Sequence, residues 1–172
     1  MRFHLLDRIE ELTDSRIVAV KAVSQAEEYL GDHFPTFPVL PGVMMLEAAT
    51  QAAAWLAMTN GGFAADGDYA GPTVAVMKSA RNVRYGHFVA PGRSLRVTAE
   101  HVKETDAGHA FKIEGTVDTP AGDKTAITGK LELACFRLAD RDPGLAEADA
   151  KLIGAHRARW TNLTGGKVSP AL

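Results

Sequence analysis

The spacing of hydrophobic and polar positions changes twice along this chain, and each change marks a new kind of element. Residues 5–12 and 16–23 are short β-compatible stretches on either side of Thr13-Asp14-Ser15, a turn signal, and they predict a hairpin. Ser24 followed by Glu27 has the form of a capping box and predicts a short helix over 25–30. The next stretch is His33-Phe34-Pro35-Thr36-Phe37-Pro38-Val39-Leu40-Pro41-Gly42, whose three prolines forbid a helix and most sheet pairing. An ordered, extended loop is expected there.

From Val43 to about Met58 the chain is rich in alanine and other helix formers and apolar almost all round, which predicts a helix buried in the middle of the fold. Asn60-Gly61-Gly62 supplies its stop, and 61–71 reads as a loop. After Pro72 the period becomes that of strands. Segments 73–78, 82–85, 94–102, 110–118 and 124–136 are expected to be β, with Pro120-Ala121-Gly122-Asp123 as the turn between the last two. A long buried helix followed by a meander of long strands predicts an α+β fold, an antiparallel sheet wrapped around the helix. The tail predicts an amphipathic helix over 142–160, opened by Asp142-Pro143, and a frayed end over 161–172.

Composition adds limits. A chain of 172 residues, 46% hydrophobic and 23% charged, is one domain's worth with enough apolar material for a core. Nineteen basic against 21 acidic residues leave a net charge of −2, which argues against a nucleic-acid coat. The single cysteine, Cys135, excludes an intrachain disulfide and fits a reducing cytoplasm. Charges at Arg2, Asp7, Arg8, Glu10 and Glu11 break up any apolar leader, and the longest uncharged run, 48–65, contains Thr50, Gln51, Thr59, Asn60, Gly61 and Gly62. Neither export nor a membrane span is expected, and the location expected is the cytoplasm.

Candidate chemistry gathers where loop meets helix. His33 sits in the proline-held loop, and Glu47 stands about one turn into an otherwise apolar helix, where desolvation favours its protonated form and makes it a usable acid. Gln51, at i+4 from Glu47, shares its face and can orient the carboxyl group. Gly42 opens the helix, so its amide and the helix dipole favour a developing oxyanion. Each feature has a plain alternative, a solvated histidine, a wet-face glutamate or a tight-turn glycine. Their combination is hard to explain by packing.

The stretch His33-Phe34-Pro35-x-x-Pro38-Val39-x-Pro41-Gly42-Val43-x-x-x-Glu47-Ala48-x-x-Gln51 resembles the signature of FabZ-type 3-hydroxyacyl-[acyl-carrier-protein] dehydratases, which have the hotdog fold. Arg84-Tyr85 with Val89-Ala90-Pro91-Gly92 is similar to a second segment of that family. The resemblance covers a domain over 1–138 and leaves 139–172 as an extension. It implies that His33 removes the α-proton of a 3-hydroxyacyl thioester, that Glu47 protonates the departing hydroxyl, and that the Gly42 amide binds the thioester carbonyl. Phe34, Pro41 and Val43 would then line the substrate site and Gln51 would support Glu47. It also implies no cofactor, an acyl carrier protein as partner, and a homodimer with His33 and Glu47 drawn from opposite subunits, in some members a trimer of dimers. Asp32 stands where the family usually has glycine; it either raises the basicity of His33 or points outward.

Between Lys78 and Arg96 lie five bases, Lys78, Arg81, Arg84, Arg93 and Arg96, and no acid. They are expected to dock an acidic carrier, with a solvated strand face as the plain alternative. His4, His87, His101, His109 and His156 show no i,i+4 or cysteine partnership, so no metal site is expected. Competing functions are a dehydratase that also isomerises, disfavoured because that sister group usually has Asp in place of Glu47, a hotdog thioesterase, and a non-catalytic carrier- or chain-binding subunit.

Overall fold

The computed structural model describes residues 3–60, 69, 71–106 and 108–165. Strands β1 (Arg8–Leu12) and β2 (Arg16–Ala22) form the expected hairpin, followed after a loop by helix α1 (Gly42–Asn60). Then come β3 (Val74–Tyr85), β4 (Ser94–Thr105), β5 (Gly108–Val117) and β6 (Lys124–Phe136), and helix α2 (Ala146–Thr164) closes the chain. All strands pair antiparallel in one sheet of order β1-β2-β4-β5-β6-β3. The sheet curls around α1, whose Ala48, Ala49, Ala52, Ala53 and Leu56 are sealed against inward residues such as Ile17, Leu95, Val97, Phe111, Ile113 and Leu133. Alanines on that helix let its backbone lie close to the strands, while Trp55, Leu56 and Met58 supply the volume. This is the α+β hotdog arrangement.

Several local expectations are corrected. No capping box forms at Ser24, because the Glu27 carboxylate pairs with the buried Lys21 ammonium instead, and the helix expected over 25–30 shrinks to a single 3₁₀ turn, Glu28–Leu30. The proline loop is not extended throughout. Phe34 takes a left-handed backbone, φ 51°, and its carbonyl accepts from the Phe37 amide at 2.7 Å, closing a turn directly after His33. Two predicted strands, 73–78 and 82–85, are one bent strand, β3, kept continuous by irregularities at Met77/Ser79 and Arg81/Arg84 and by Asn82 at φ 55°. Most of the loop expected over 61–71 lies outside the described residues.

The tail is built in, and fraying over 161–164 does not occur. Asp142 accepts from the Gly144 amide at 2.9 Å, α2 runs to Thr164, and Leu163 reaches the main core. Trp160 packs on Trp55 of α1 with ring centroids 5.5 Å apart, and His156 donates to the Thr73 carbonyl at 2.9 Å. Asp149 is wholly buried and accepts hydrogen bonds from the Leu138 amide (3.0 Å), the Ala139 amide (2.8 Å) and the Thr73 hydroxyl, with the Arg137 Nε at 3.9 Å. Burial alone would raise its pKa; the hydrogen bonds and the guanidinium hold it below the usual carboxylate range. Cys135 is half-buried, and burial pushes its thiol up to about 11, so it is inert as a nucleophile. Among the described residues no helix is long and apolar enough to cross a membrane.

Candidate active site

The N-terminus of α1 opens onto a cavity of about 600 Å³ lined by His33, Phe34, Pro41, Gly42 and Val43, with Val39, Leu40 and Met45. Tyr85, Gly86, His87 and Phe88, which follow from the end of β3, form the opposite wall. The chain reaches this geometry for local reasons. Leu40 donates its amide to the Val89 carbonyl at 2.8 Å, stitching the proline loop to the segment after β3, and the Pro41 carbonyl accepts from both Met44 (2.9 Å) and Met45 (3.1 Å). The first amides of a helix have no intrahelical acceptor. Those of Gly42 and Val43 find no acceptor among the described residues, so they remain available to a ligand oxygen at the positive end of the dipole.

Two glycines in this wall sit close against neighbours. A Cβ on Gly42 would stand 3.0 Å from the Tyr85 ring, and one on Gly86 would stand 2.7 Å from the Thr125 carbonyl oxygen. The second contact is with backbone and cannot give way.

His33 is half-buried, and its Nδ1 lies 3.2 Å from the Val39 carbonyl. A carbonyl only accepts, so Nδ1 carries the proton and the neutral ring keeps its lone pair on Nε2. That is the tautomer a base needs. The neighbouring Phe34 ring, 4.4 Å away between centroids, braces the imidazole. Asp32 is exposed, which places it on the outward of its two predicted alternatives.

Glu47 is half-buried, not enclosed, and lies off the cavity wall of the single chain. Its Oε1 accepts from Gln51 Nε2 at 2.9 Å. Gln51 also donates to the Phe3 carbonyl (2.7 Å) and accepts from the Leu5 amide (3.0 Å), so the amide that orients Glu47 is itself fixed by the N-terminal segment. Val43, 70% exposed, is one turn before Glu47 on the same face.

A family model described as FabA-like domain matches residues 1–128. The chain belongs to this family. Among curated relatives, the 3-hydroxyacyl-[acyl-carrier-protein] dehydratase FabZ of Clostridium perfringens is 35% identical over 132 residues, 77% of this chain and 87% of that one. Among solved structures, the dehydratase heterocomplex ApeI:P of Xenorhabdus doucetiae superposes with a TM-score of 0.60 at 16% identity, covering 84% of this chain and 90% of that one. A hypothetical thioesterase of Streptococcus pneumoniae, solved with coenzyme A, does so at 0.51 and 12% identity, covering 74% and 84%. The structural likenesses establish the fold alone, because hotdog proteins of different chemistry share it. The family and the curated relatives point to FabZ-type chemistry.

The FabA-like chain places its predicted residues unevenly. His33, Phe34, Pro41, Gly42 and Val43 come together in one cavity, while Gln51 and Glu47 pair on the adjoining helix face. The five predicted docking bases do not form one patch. Lys78, Arg81 and Arg84 lie on the edge strand β3, whereas Arg93, just before β4, faces Asp118 at 3.6 Å and Arg96, on β4, pairs with Glu10, with β5 and β6 lying between β4 and β3. The sheet supplies other bases. Arg81, Lys130 and Lys112 stand directly opposite one another on β3, β6 and β5, an unfavourable run of like charges on the outer face. Lys103 joins Arg81 and Lys130 around a shallow cavity of about 300 Å³. Glu132 is held there below the usual carboxylate range, chiefly by the Thr105 hydroxyl, against partial desolvation and aided by Ser79, Arg81 and Lys78. Lys103, Lys112 and Lys130 escape sequence reasoning because only the strand register makes them neighbours of Arg81. His87, read from sequence as a surface or packing residue, lines the cavity at the mouth of α1. The signal available for it was its place between Arg84-Tyr85 and the Val89-Ala90-Pro91-Gly92 match.

Proposed function

We propose that this chain dehydrates 3-hydroxyacyl thioesters to trans-2-enoyl thioesters, as its FabZ relatives do by name, on chains carried by an acyl carrier protein. The observation that carries the reading is the arrangement at the helix mouth: a histidine held in its Nδ1–H tautomer, lone pair on Nε2, beside two unengaged amides. In this reading the Gly42 amide binds the thioester carbonyl and stabilises the enolate-like charge as His33 Nε2 takes the α-proton. Glu47 in its acid form gives its proton to the 3-hydroxyl, which leaves as water, and the proton on His33 is then returned to Glu47. No cofactor takes part in this proton traffic.

A second copy of the chain completes the site. Glu47 is off the single chain's cavity, Val43 beside it is largely exposed, and among the described residues β3 ends the sheet as an unpaired edge that displays Val76 and Met77. Apolar edges of this kind are liabilities unless covered. A homodimer covers that face and brings Glu47 of one protomer to His33 of the other. The 1–138 hotdog domain carries the chemistry, while the extension stiffens it through Trp160 and Asp149. A cytoplasmic location follows from the carrier-bound substrate and the single thiol.

Purified protein incubated with 3-hydroxybutyryl and crotonyl thioesters, on coenzyme A and on carrier protein, is expected to interconvert them. Release of free thiol instead establishes a thioesterase, and carrier binding without turnover a binding subunit. The basic track from Arg84 through Arg81 and Lys130 serves the carrier. Reversing charge at Arg81 and Lys130 together is expected to raise KM for carrier-bound substrate by about tenfold and leave the coenzyme A thioester unaffected. Reversal at Arg93, already facing Asp118, is expected to do little. Equal effects on both substrates exclude this docking surface.

A further inference from the structure

The C-terminal helix reaches the N-terminal segment that holds Gln51. Helix α2 packs against β1, one edge of the sheet, and its Trp160 and Leu163 enter the main core. One residue before Trp160, the half-buried Arg159 donates from Nη2 to the carbonyl of the buried Leu6. Directly ahead of Leu6 in the chain, the Leu5 amide donates to Gln51 Oε1 at 3.0 Å, and the Phe3 carbonyl accepts from Gln51 Nε2 at 2.7 Å.

We propose that Arg159 is a positioning residue for Glu47: by clamping residues 3–6 it fixes the Gln51 amide, and the amide decides which carboxyl oxygen of Glu47 holds the transferable proton. A backbone amide only donates, so the Gln51 oxygen is turned to Leu5 and its nitrogen to Phe3. Nε2 has two hydrogens. One goes to the Phe3 carbonyl and the other to Glu47 Oε1 at 2.9 Å. A neutral carboxyl accepts at its carbonyl oxygen, which leaves the hydroxyl, and the proton given to the substrate, on Oε2. Turned over, the Gln51 amide would set its own oxygen against Oε1 and hold the proton there.

What keeps the segment in place is a directed bond. Leu5 and Leu6 are buried, but apolar packing is non-directional and does not fix where a carbonyl points. A guanidinium donor does, because a charge-assisted hydrogen bond is short, strong and oriented. The sheet holds this segment from one side only: the Asp7 amide donates to the Val20 carbonyl of β2 at 2.8 Å, and β1 then slips register between Ile9 and Glu11. Arg159 supplies the hold from the other side.

This role rests on Glu47 being the acid of the proposed dehydration, and it gives the 139–172 extension a part in the chemistry beyond stiffening. Arg159 acts through Leu6, Leu5 and Gln51, while the thioester binds at Gly42, so the effect belongs to the chemical step and not to binding.

The test is steady-state kinetics of Arg159→Met in the full chain, with the 3-hydroxybutyryl thioester of coenzyme A. Methionine keeps an unbranched, apolar stem and deletes the donor. A fall in kcat of about tenfold is expected, with KM within about twofold of the parent's. Arg159→Lys, which restores a charged donor without the fork, should lie between the two. Lys151→Ala, exposed on the same helix, should match the parent. Amide hydrogen exchange supplies a readout apart from activity: the Leu5 amide should exchange faster in Arg159→Met, while the amides of the central strand β5 keep their rates. Should Arg159→Met fail to fold, Arg159→Lys must itself lower kcat at unchanged KM and quicken Leu5 exchange. A parent-like kcat, a loss that falls on KM, or unchanged Leu5 exchange overturns the role of Arg159. A Glu47→Gln variant that keeps the parent's rate removes Glu47 as the acid, and this role with it; an inactive Glu47→Gln beside a parent-like Arg159→Met removes Arg159 alone.

Discussion

Replacing His33 by alanine is expected to lower kcat for dehydration by about 10²–10⁴-fold, and Glu47→Gln by a similar factor, with little change in melting temperature. His33 is half-buried and, among the described residues, its ring makes one hydrogen bond, to Val39, so its removal takes away the base and little packing. Glu47→Gln keeps the shape and a partner for Gln51 while removing the transferable proton. Steady-state rates with 3-hydroxyacyl thioesters check both. Mixing the two inactive proteins then tests where the pair comes from. If His33 and Glu47 act across a homodimer, half of a randomised mixture is mixed dimer with one intact site of two, and activity returns to about a quarter of the parent's. If both residues act within one chain, nothing returns, and the proposed assembly of the site is wrong.

Asp149→Ala is expected to be the most destabilising single change outside the core, lowering Tm by on the order of 10 °C. The carboxylate is fully buried, and its removal strands the Leu138 and Ala139 amides and the Thr73 hydroxyl at the joint between β6, β3 and α2. Buried donors left without acceptors lose hydration and gain nothing in return. Differential scanning calorimetry checks the size. Loss of helical circular dichroism ahead of the main transition would show that α2 undocks first. The pH dependence carries the same sign. Because folding lowers the Asp149 pKa, its stabilisation is fully present above the ordinary aspartate range and is lost as the pH falls from about 4 through the lower folded value. Asp149→Asn should therefore flatten the acid limb of the stability curve. An unchanged limb would show that the hydrogen bonds do not depend on the charge.

The elements that sequence reading placed well are those whose apolar period is strong. Strand β6 was expected over 124–136 and spans Lys124–Phe136, and α1 was expected over 43–58 and spans Gly42–Asn60. The errors fall where two partners compete for one group. Ser24 and Glu27 fit a capping box, yet Glu27 is taken by Lys21 from β2, and no local rule ranks an ion pair with a buried lysine against a helix cap. The end of α2 looked frayed because Gly165-Gly166 follows it, whereas Trp160 and Leu163 are anchored by Trp55 and the main core. Contact with a distant element decides such cases, and propensity does not contain it.

By itself, the sequence determined the family and the hotdog class through the resemblance of its 33–51 stretch, and it singled out His33, Gly42, Glu47 and Gln51 as candidates, because prolines, a helix start and an i,i+4 pair are local features that chemistry can read in one dimension. Only the tertiary structure decided the His33 tautomer through Val39, the scattering of Arg93 and Arg96 away from Arg81, and the cationic row with Lys130 and Lys112. It also decided the meeting of His101 with His109. The reason is register: strands far apart along the chain become neighbours when their backbones pair, and which side chains then face one another depends on alignments that no single segment encodes.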